Sequence, residues 1–100
     1  MIKHIVVWRL RDEARGVGKA ENVIRAKAGL ESLREVVPGL LHLEVGVDIK
    51  AAHDSWDLVI YSEFADRDSL DAYQVHPDHV AVAQLMGELR ELRAAIDYEV

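Results

Sequence analysis

The sequence contains no cysteine, so disulfide bonds and thiolate metal ligands are excluded. It also lacks any apolar run near the roughly 20 residues that a membrane-spanning helix requires, and we therefore expect no membrane association. The first ten residues, MIKHIVVWRL, have the pattern of a strand and contain no cleavage site, so we do not expect a signal peptide. Together these absences predict a cytoplasmic protein.

Basic residues are few, since Lys and Arg total 12 against 18 Asp and Glu, which gives a net charge of −6. Proteins that bind nucleic acids present a cationic surface to the phosphates. Here the arginines are scattered among acids, and we interpret Arg90-Glu91-Leu92-Arg93 as a solvated helix face. No nucleic-acid partner is expected.

Aromatic residues are scarce, at 6%, but half of the 100 residues are hydrophobic and 30% are charged. That balance is typical of a globular protein rather than a disordered one. The length matches one small domain, so we predict a single domain over residues 1–100. A chain this short buries only roughly 60 to 68% of its unfolded surface, and an apolar surface shared with a second subunit would add stability.

The spacing of apolar residues predicts a strand, a helix and two more strands in the first two thirds of the chain. Residues 2–10 alternate, and the charged segment 11–18 that follows predicts a loop. Helical spacing predicts a helix from Lys19 to Val37, ended by Pro38-Gly39. Segments 40–49 and 56–64 are predicted strands. Gly46 indicates a bulge or bend in the first of them.

The last third of the chain predicts two helices and a closing strand. Asp66 is placed to cap a short helix with Tyr73 on its inner side. A second helix starts at Pro77 and runs to about Leu89, and residues 93–100 alternate again. The order β-α-β-β-α-β predicts an α+β, ferredoxin-like fold, in which the helices cover one face of a four-stranded antiparallel sheet.

The other face of this sheet carries Ile5 and Val7 and has no helix to cover it. An exposed apolar sheet face is typical of a surface that binds a partner. We predict a homodimer in which two such faces pack together, because two-fold symmetric dimers are the commonest oligomers.

Four segments, in this order, resemble the stress-responsive A/B barrel (Dabb) family, one of the dimeric α+β barrel proteins. They are MIKHIVVWRL, VPGLLHLEVG, WDLVIYSEFADRDSLDAYQVHPDH and IDYEV, and together they span nearly the whole chain. The resemblance implies a ferredoxin-like protomer that pairs into a barrel. Many members of the family have no assigned reaction, and plant members are associated with stress responses.

One plant branch of that family consists of polyketide cyclases, which perform an intramolecular aldol condensation without a cofactor. The resemblance implies that Tyr73 and His79 match their working pair and that His4 matches the histidine lining their pocket. Those cyclases carry large aromatic side chains in the first helix, where this chain has ENVIRAKAGL. The substrate of the cyclases is therefore not expected here.

The chemistry of the segment YQVHPDH, residues 73–79, fits such a reaction. A histidine has an ordinary pKa of about 6.5 and can take a proton next to a carbonyl. A tyrosine hydroxyl can donate a hydrogen bond to the resulting enolate. We predict His79 and Tyr73 as a catalytic pair acting on a small hydrophobic or carbonyl compound, with no cofactor. The expected substrate-binding floor comes from two strands: His4, Val6, Trp8, Leu58, Ile60 and Ser62.

Other interpretations of these residues stay open. Tyr73 and His4 can be core residues with satisfied polar atoms, and His79 can cap a helix. His76, Asp78 and His79 can be considered as metal ligands, although Pro77 breaks the register between them.

Two further classes of function are alternatives to the enzyme. One is a small-ligand-binding or stress-associated dimer with the same pocket and no turnover. The other is a related α+β barrel oxygenase that uses dioxygen or haem. We expect His42 and His53 on the surface and interpret Asp57 as part of a solvated or capping face.

Overall fold

The computed structural model describes residues 1–100. Its elements are β1 (Ile2–Leu10), β2 (Glu13–Ala14), β3 (Val17–Gly18), α1 (Lys19–Glu31), β4 (Leu40–Val47), β5 (Leu58–Phe64), α2 (Arg67–Val75), α3 (Pro77–Leu89) and β6 (Arg90–Glu99). The main sheet has the order β4-β5-β1-β6, with every neighbouring pair antiparallel. The predicted ferredoxin-like fold is confirmed, and two helices, α2 and α3, lie between the third and fourth strands of this sheet.

The hydrophobic core lies between the sheet and the three helices. Alternate residues of β1 are buried, from Ile2 to Leu10, and β5 shows the same alternation. Trp8 is 5% exposed and packs into this core, as its place on the inner face of β1 requires. From the helices, Leu30 and Tyr73 are buried against the same face.

The opposite side of the sheet carries no helix, and we call it the helix-free face. Ile5 lies beside Tyr61 of β5 and Ile96 of β6 in the strand register. Ile5 is only half-buried, and Ile96 is 59% exposed. The face is defined by these residues: Lys3, Ile5, Val7, Val59, Tyr61, Leu92, Ile96 and Tyr98.

The first helix is shorter than its apolar pattern predicts. It ends at Glu31 rather than Val37. Turns follow, and Glu35 has a φ of 68°, a left-handed conformation that a right-handed helix does not accommodate. Leu33 and Val37 remain buried because the turns fold back over the core. Their burial explains why the apolar spacing typical of a helix continues past the end of α1.

The predicted loop 11–18 contains a two-stranded hairpin, β2 with β3. Arg15 and Gly16, at its turn, have φ values of 55° and 78°, as a tight two-residue hairpin turn requires. Asn22 of α1 is buried and donates from Nδ2 to the carbonyls of Ala14 and Val17, at 3.0 and 3.3 Å. The hairpin is thereby held against α1.

The interpretation of Arg90-Glu91-Leu92-Arg93 as a helix face is wrong, because these residues begin β6. In the register, Arg9 pairs with Leu92 and Trp8 pairs with Arg93. Strand pairing along β1 overrides the local charge pattern, which resembled an exposed helix. Arg93 therefore shares the inner sheet face with Trp8.

Two smaller differences concern the strands β4 and β5. They begin and end within two residues of the predicted ranges, at Leu40–Val47 and Leu58–Phe64. The register shift in β4 falls between Leu40 and His42 rather than at Gly46. At Gly46 a Cβ would lie 3.1 Å from Val59 Cγ1, so the glycine reflects a close approach of two strands instead of a bulge.

Asp57 has a larger structural role than a solvated acid. Its Oδ2 accepts from the backbone N–H of Leu10 at 2.7 Å and lies 3.2 Å from Nζ of Lys19. This carboxylate links the end of β1 to the first residue of α1. The predicted cap at Asp66 is confirmed, since it accepts from the backbone N–H of Ser69 at 2.8 Å. None of the helices has the length and apolar composition needed to cross a membrane.

Candidate functional site

The junction between α2 and α3 shapes the candidate site. His76 is extended, with φ −62° and ψ 136°, because the following Pro77 excludes helical geometry there. Its Nδ1 accepts from the backbone N–H of Asp78 at 3.1 Å and so caps α3. The break separates the last turn of α2, with Tyr73, from the first turn of α3, with His79.

This break brings the two predicted catalytic side chains together. The ring centroids of Tyr73 and His79 lie 4.6 Å apart. A continuous helix would place two residues six positions apart on different faces. Tyr73 is 1% exposed and also packs against Phe64, with ring centroids 5.0 Å apart. The geometry is as expected, and the catalytic roles stay a prediction.

A hydrogen bond fixes which nitrogen of His79 carries the proton. Its Nδ1 lies 3.1 Å from the carbonyl oxygen of Gln74, and a carbonyl only accepts, so Nδ1–H donates. The other ring nitrogen, Nε2, keeps its lone pair. Burial lowers the pKa of His79 below 6.5; the bond to Gln74 opposes this, while positive charge on His4 and Arg93 adds to it. The neutral imidazole is therefore favoured.

The hydroxyl of Tyr73 is suited to donate rather than to ionise. Burial raises the pKa of Tyr73 to about 12. The hydroxyl makes no hydrogen bond within the chain, and the only fully enclosed polar side-chain atom without a partner is Asn22 Oδ1. The Tyr73 hydroxyl therefore keeps contact with the cavity that it lines.

His4 lies on the inner face of β1 next to this pair. Its ring is edge-on to Tyr73, with centroids 6.3 Å apart. Nδ1 of His4 is hydrogen-bonded to Oδ1 of Asp97 on β6, and because an ionised carboxylate only accepts, Nδ1 carries the proton. The side chain of His4 is buried while that of Asp97 is partly exposed. Asp97 thus orients the ring of His4.

The side chains enclose a cavity of about 350 Å³ between the sheet and the helices. Four of the predicted floor residues line it, namely His4, Val6, Trp8 and Ile60. Leu58 and Ser62, the other two predicted floor residues, are buried in the protein but do not line the cavity. Helical side chains complete the walls: Leu30, Leu33, Tyr73, Gln74, His79, Val82, Ala83 and Met86.

Two arginines of β6, Arg90 and Arg93, also line the cavity. Sequence reasoning did not identify them, because their charge pattern suggested a helix face. It also missed Gln74, whose contribution is a backbone carbonyl, and Asp97, which alternation on β6 could have placed opposite His4.

The metal-binding alternative gains no support from the side-chain positions. Asp78 Oδ2 is 3.9 Å from His76 Nδ1, a nitrogen that caps α3, while His79 turns to Gln74. No group of three or more His, Cys, Asp or Glu side chains is arranged to hold a metal ion.

Comparison with known proteins identifies the family of this chain. The model of the stress responsive A/B barrel domain matches residues 2–100. The chain belongs to this family. A curated relative, the stress-response A/B barrel domain-containing protein DABB1 of Arabidopsis thaliana, is 29% identical over 101 residues. That match covers 98% of this chain and 46% of the relative, so the chain spans about half the length of that protein.

Solved structures show the same ferredoxin-like protomer fold in proteins of other organisms. A dimeric protein of unknown function from Bacteroides fragilis is 34% identical with a TM-score of 0.81, covering 99% of this chain and 95% of its own. A dimeric ferredoxin-like protein from Thermobifida fusca is 26% identical with a TM-score of 0.86, covering 99% and 90%. A hydroxynitrile lyase from Passiflora edulis has a TM-score of 0.82, covering 99% and 92%, but at 16% identity it shows the fold alone.

Proposed function

We propose that this A/B barrel protein is a cofactor-free enzyme that moves a proton next to the carbonyl of a small compound, in an aldol-type cyclisation or a lyase-like reaction. His79 is the base and Tyr73 the hydrogen-bond donor. The observation that carries the proposal is the hydrogen bond from His79 Nδ1 to Gln74, which leaves Nε2 without a partner on a ring whose centroid lies 4.6 Å from that of Tyr73.

The proposed step is balanced without a cofactor. Nε2 of His79 takes a proton from the carbon next to the carbonyl, and the electron pair of that C–H bond moves to the carbonyl oxygen. The hydroxyl of Tyr73 donates to this enolate oxygen. In a cyclisation, the enolate carbon then attacks a second carbonyl of the same molecule, and the alkoxide that forms takes the proton back from His79.

The cavity supports a small substrate that has both polar and apolar parts. Its volume of about 350 Å³ falls in the range of small-molecule pockets. Polar groups of His4, Tyr73 and His79 and of two arginines line it together with apolar side chains such as Trp8 and Met86. The polar groups can orient a carbonyl while the apolar side chains contact the rest of the substrate.

We also propose that the chain, a single domain over residues 1–100, forms a homodimer through the helix-free face. This face has no cover within the protomer, and Ile96 and Tyr98 are exposed on it. The relatives from Bacteroides fragilis and Thermobifida fusca are described as dimeric, which supports the proposal. The cytoplasmic location stays a prediction.

Deuterium exchange tests the proton transfer without knowledge of the natural substrate. The uncharged ketone 4-phenylbutan-2-one is incubated with the protein in D₂O, and NMR follows the loss of the signals next to its carbonyl. The wild-type protein should accelerate exchange, His79→Gln should return it to the buffer rate, and Tyr73→Phe should slow it by roughly 10².

His42→Gln is the matched control, because His42 is an exposed histidine on β4 that bonds only to Glu44. It should leave exchange at the wild-type rate. The alternative, a dimer that binds small ligands without turnover, predicts that the ketone binds while exchange stays at the buffer rate in every variant. That result would overturn the catalytic proposal.

A further inference from the structure

Arg90 and Arg93 differ from all other arginines of the chain. Their guanidinium groups make no hydrogen bond and no ion pair within the protein, yet both line the cavity. Each remaining arginine either donates to a backbone carbonyl or pairs with a carboxylate: Arg9, Arg11, Arg15, Arg25, Arg34 and Arg67.

A shortage of acids does not explain the two free arginines, since acidic residues outnumber basic ones by 18 to 12. Among the acids of α3 and β6, Glu88 pairs with Arg15, Asp97 with His4 and Glu99 with Arg67, and none forms an ion pair with Arg90 or Arg93. The chain thus keeps two cationic side chains at one cavity without a protein anion to neutralise them.

The strand register sets the position of Arg93 relative to His4, whose ring lies beside that of Tyr73. Arg93 pairs with Trp8, and Asp97 pairs with His4, four residues away along β1. At about 3.3 Å per residue, these two positions are about 13 Å apart along the strand. The charge of Arg93 contributes to the lowered pKa of His79.

We propose that the substrate is an oxo acid, whose carboxylate binds Arg93 and Arg90 while its carbonyl lies between Tyr73 and His79. The planar guanidinium matches a carboxylate in two parallel hydrogen bonds. The separation along β1 leaves room for carbon atoms between the carboxylate and the reacting carbonyl. This inference rests on the proposed function for the carbonyl end, and on the two arginines for the acid end.

A matched pair of ligands isolates the charge. The acid 4-oxo-4-phenylbutanoate and its primary amide differ only in the carboxylate, and calorimetry measures the binding of each to the dimer or monomer as it exists in solution. The acid should bind at least about tenfold more tightly than the amide, because hydrogen bonds to charged groups are the stronger ones. Added salt should reduce the difference.

The Arg90→Gln/Arg93→Gln double variant should lose this preference, because its affinity for the acid should fall to its affinity for the amide. Its affinity for the amide should not change, which shows that the cavity is still folded. Arg25→Gln is the control: Arg25 lies on α1, pairs with Glu21 and does not line the cavity. It should keep the full preference.

Equal binding of acid and amide by the wild type, or a preference that survives the double variant, overturns the assignment of the arginines. Neither result affects the exchange experiment with the neutral ketone, which still tests His79. Conversely, a preference lost with the arginines and no ketone exchange supports an acid-binding cavity and removes the catalytic proposal. The two failures are therefore distinguishable.

Discussion

The carbonyl of Gln74 belongs to the last turn of α2, where helix carbonyls have no partner further along the helix. The N–H at Nδ1 of His79 satisfies it, because the break at Pro77 lets the chain turn back. A helix-end carbonyl that has no backbone partner thereby selects the tautomer of His79. Burial completes the effect by disfavouring the charged imidazolium.

The lowered pKa of His79 makes a prediction about catalysis and pH. The base form is present above the folded pKa, which lies below 6.5, so ketone exchange should fall only at pH values below 6.5. NMR titration of the His79 ring, assigned by comparison with His79→Gln, should give a midpoint below 6.5. A midpoint at or above 6.5 would contradict the burial of this ring as the controlling effect.

The same shift predicts a loss of stability in acid. Between the folded pKa and about 6.5 the unfolded chain binds more protons at His79 than the folded chain does, so the free energy of unfolding falls as pH falls through this window. Urea denaturation at several pH values should show a steeper decline for the wild type than for His79→Gln. Parallel curves for the two proteins would show that His79 does not contribute to the acid sensitivity.

Single residues were predictable where a pattern or a motif marked them. Alternation placed His4 and Trp8 on the inner face, and the helix break placed Tyr73 and His79 together. The sequence could not identify Gln74, because any residue offers the same carbonyl. Arg93 was assigned both to a helix face, from the charges of residues 90–93, and to the start of the closing strand, and only the pairing of β6 with β1 shows which sheet face it shares.

At the scale of elements, the starts of two helices, α2 and α3, were predicted to the residue because local signals mark them. Pro77 begins α3 and Asp66 caps α2, since both act through local geometry. The end of α1 was missed because burial of Leu33 and Val37 continued the helical spacing through turns. Burial depends on the packing of the whole molecule, and apolar spacing alone does not distinguish a helix from turns that cover the same core.

A close contact between the start of β4 and α2 leads to a prediction about Gly39. A Cβ at this position, just before β4, would overlap both Oγ and Cβ of Ser69 in α2. The Cβ of Ser69 is fixed to the helix backbone, and its Oγ donates to Asp66 at 2.7 Å in the cap of α2. Gly39→Ala should therefore destabilise the fold by about 1 to 3 kcal/mol, measured by urea denaturation.

Gly87 provides the matched control for this glycine. It lies in α3, and a Cβ there would meet nothing within 4 Å. Gly87→Ala should stabilise the protein by up to about 1 kcal/mol, because alanine favours the helix. If both substitutions moved stability in the same direction, the contact with Ser69 would not be the reason for glycine at position 39.

The whole molecule has two unlike sides. One sheet face is covered by three helices and encloses the cavity, and the other is the helix-free face. On this face Tyr61 donates to Glu63 at 2.7 Å, and Nζ of Lys3 lies 5.8 Å from the centre of the Tyr61 ring. Polar groups are thus already paired with one another around Ile5 and Ile96, which leaves the apolar centre available for a second protomer.

The dimer can be tested by placing a charge at this centre. Ile96→Asp should give a monomer of 11.3 kDa, whereas the wild type should sediment at twice that mass at micromolar concentration. The protomer should keep its fold, because Ile96 is exposed in it and the new carboxylate stays in water until a second face covers it. Burying two unpaired carboxylates at a symmetric interface would oppose association strongly.

Ile24→Asp is the control for this substitution, because Ile24 lies on the outer side of α1 and is 70% exposed. It adds the same charge to a surface away from the helix-free face, so the dimer should persist. A wild-type monomer would contradict the barrel, and a dimer of Ile96→Asp would place the interface elsewhere on the chain. Ketone exchange by the Ile96→Asp monomer would then show whether the cavity of one protomer alone is sufficient for the proposed reaction.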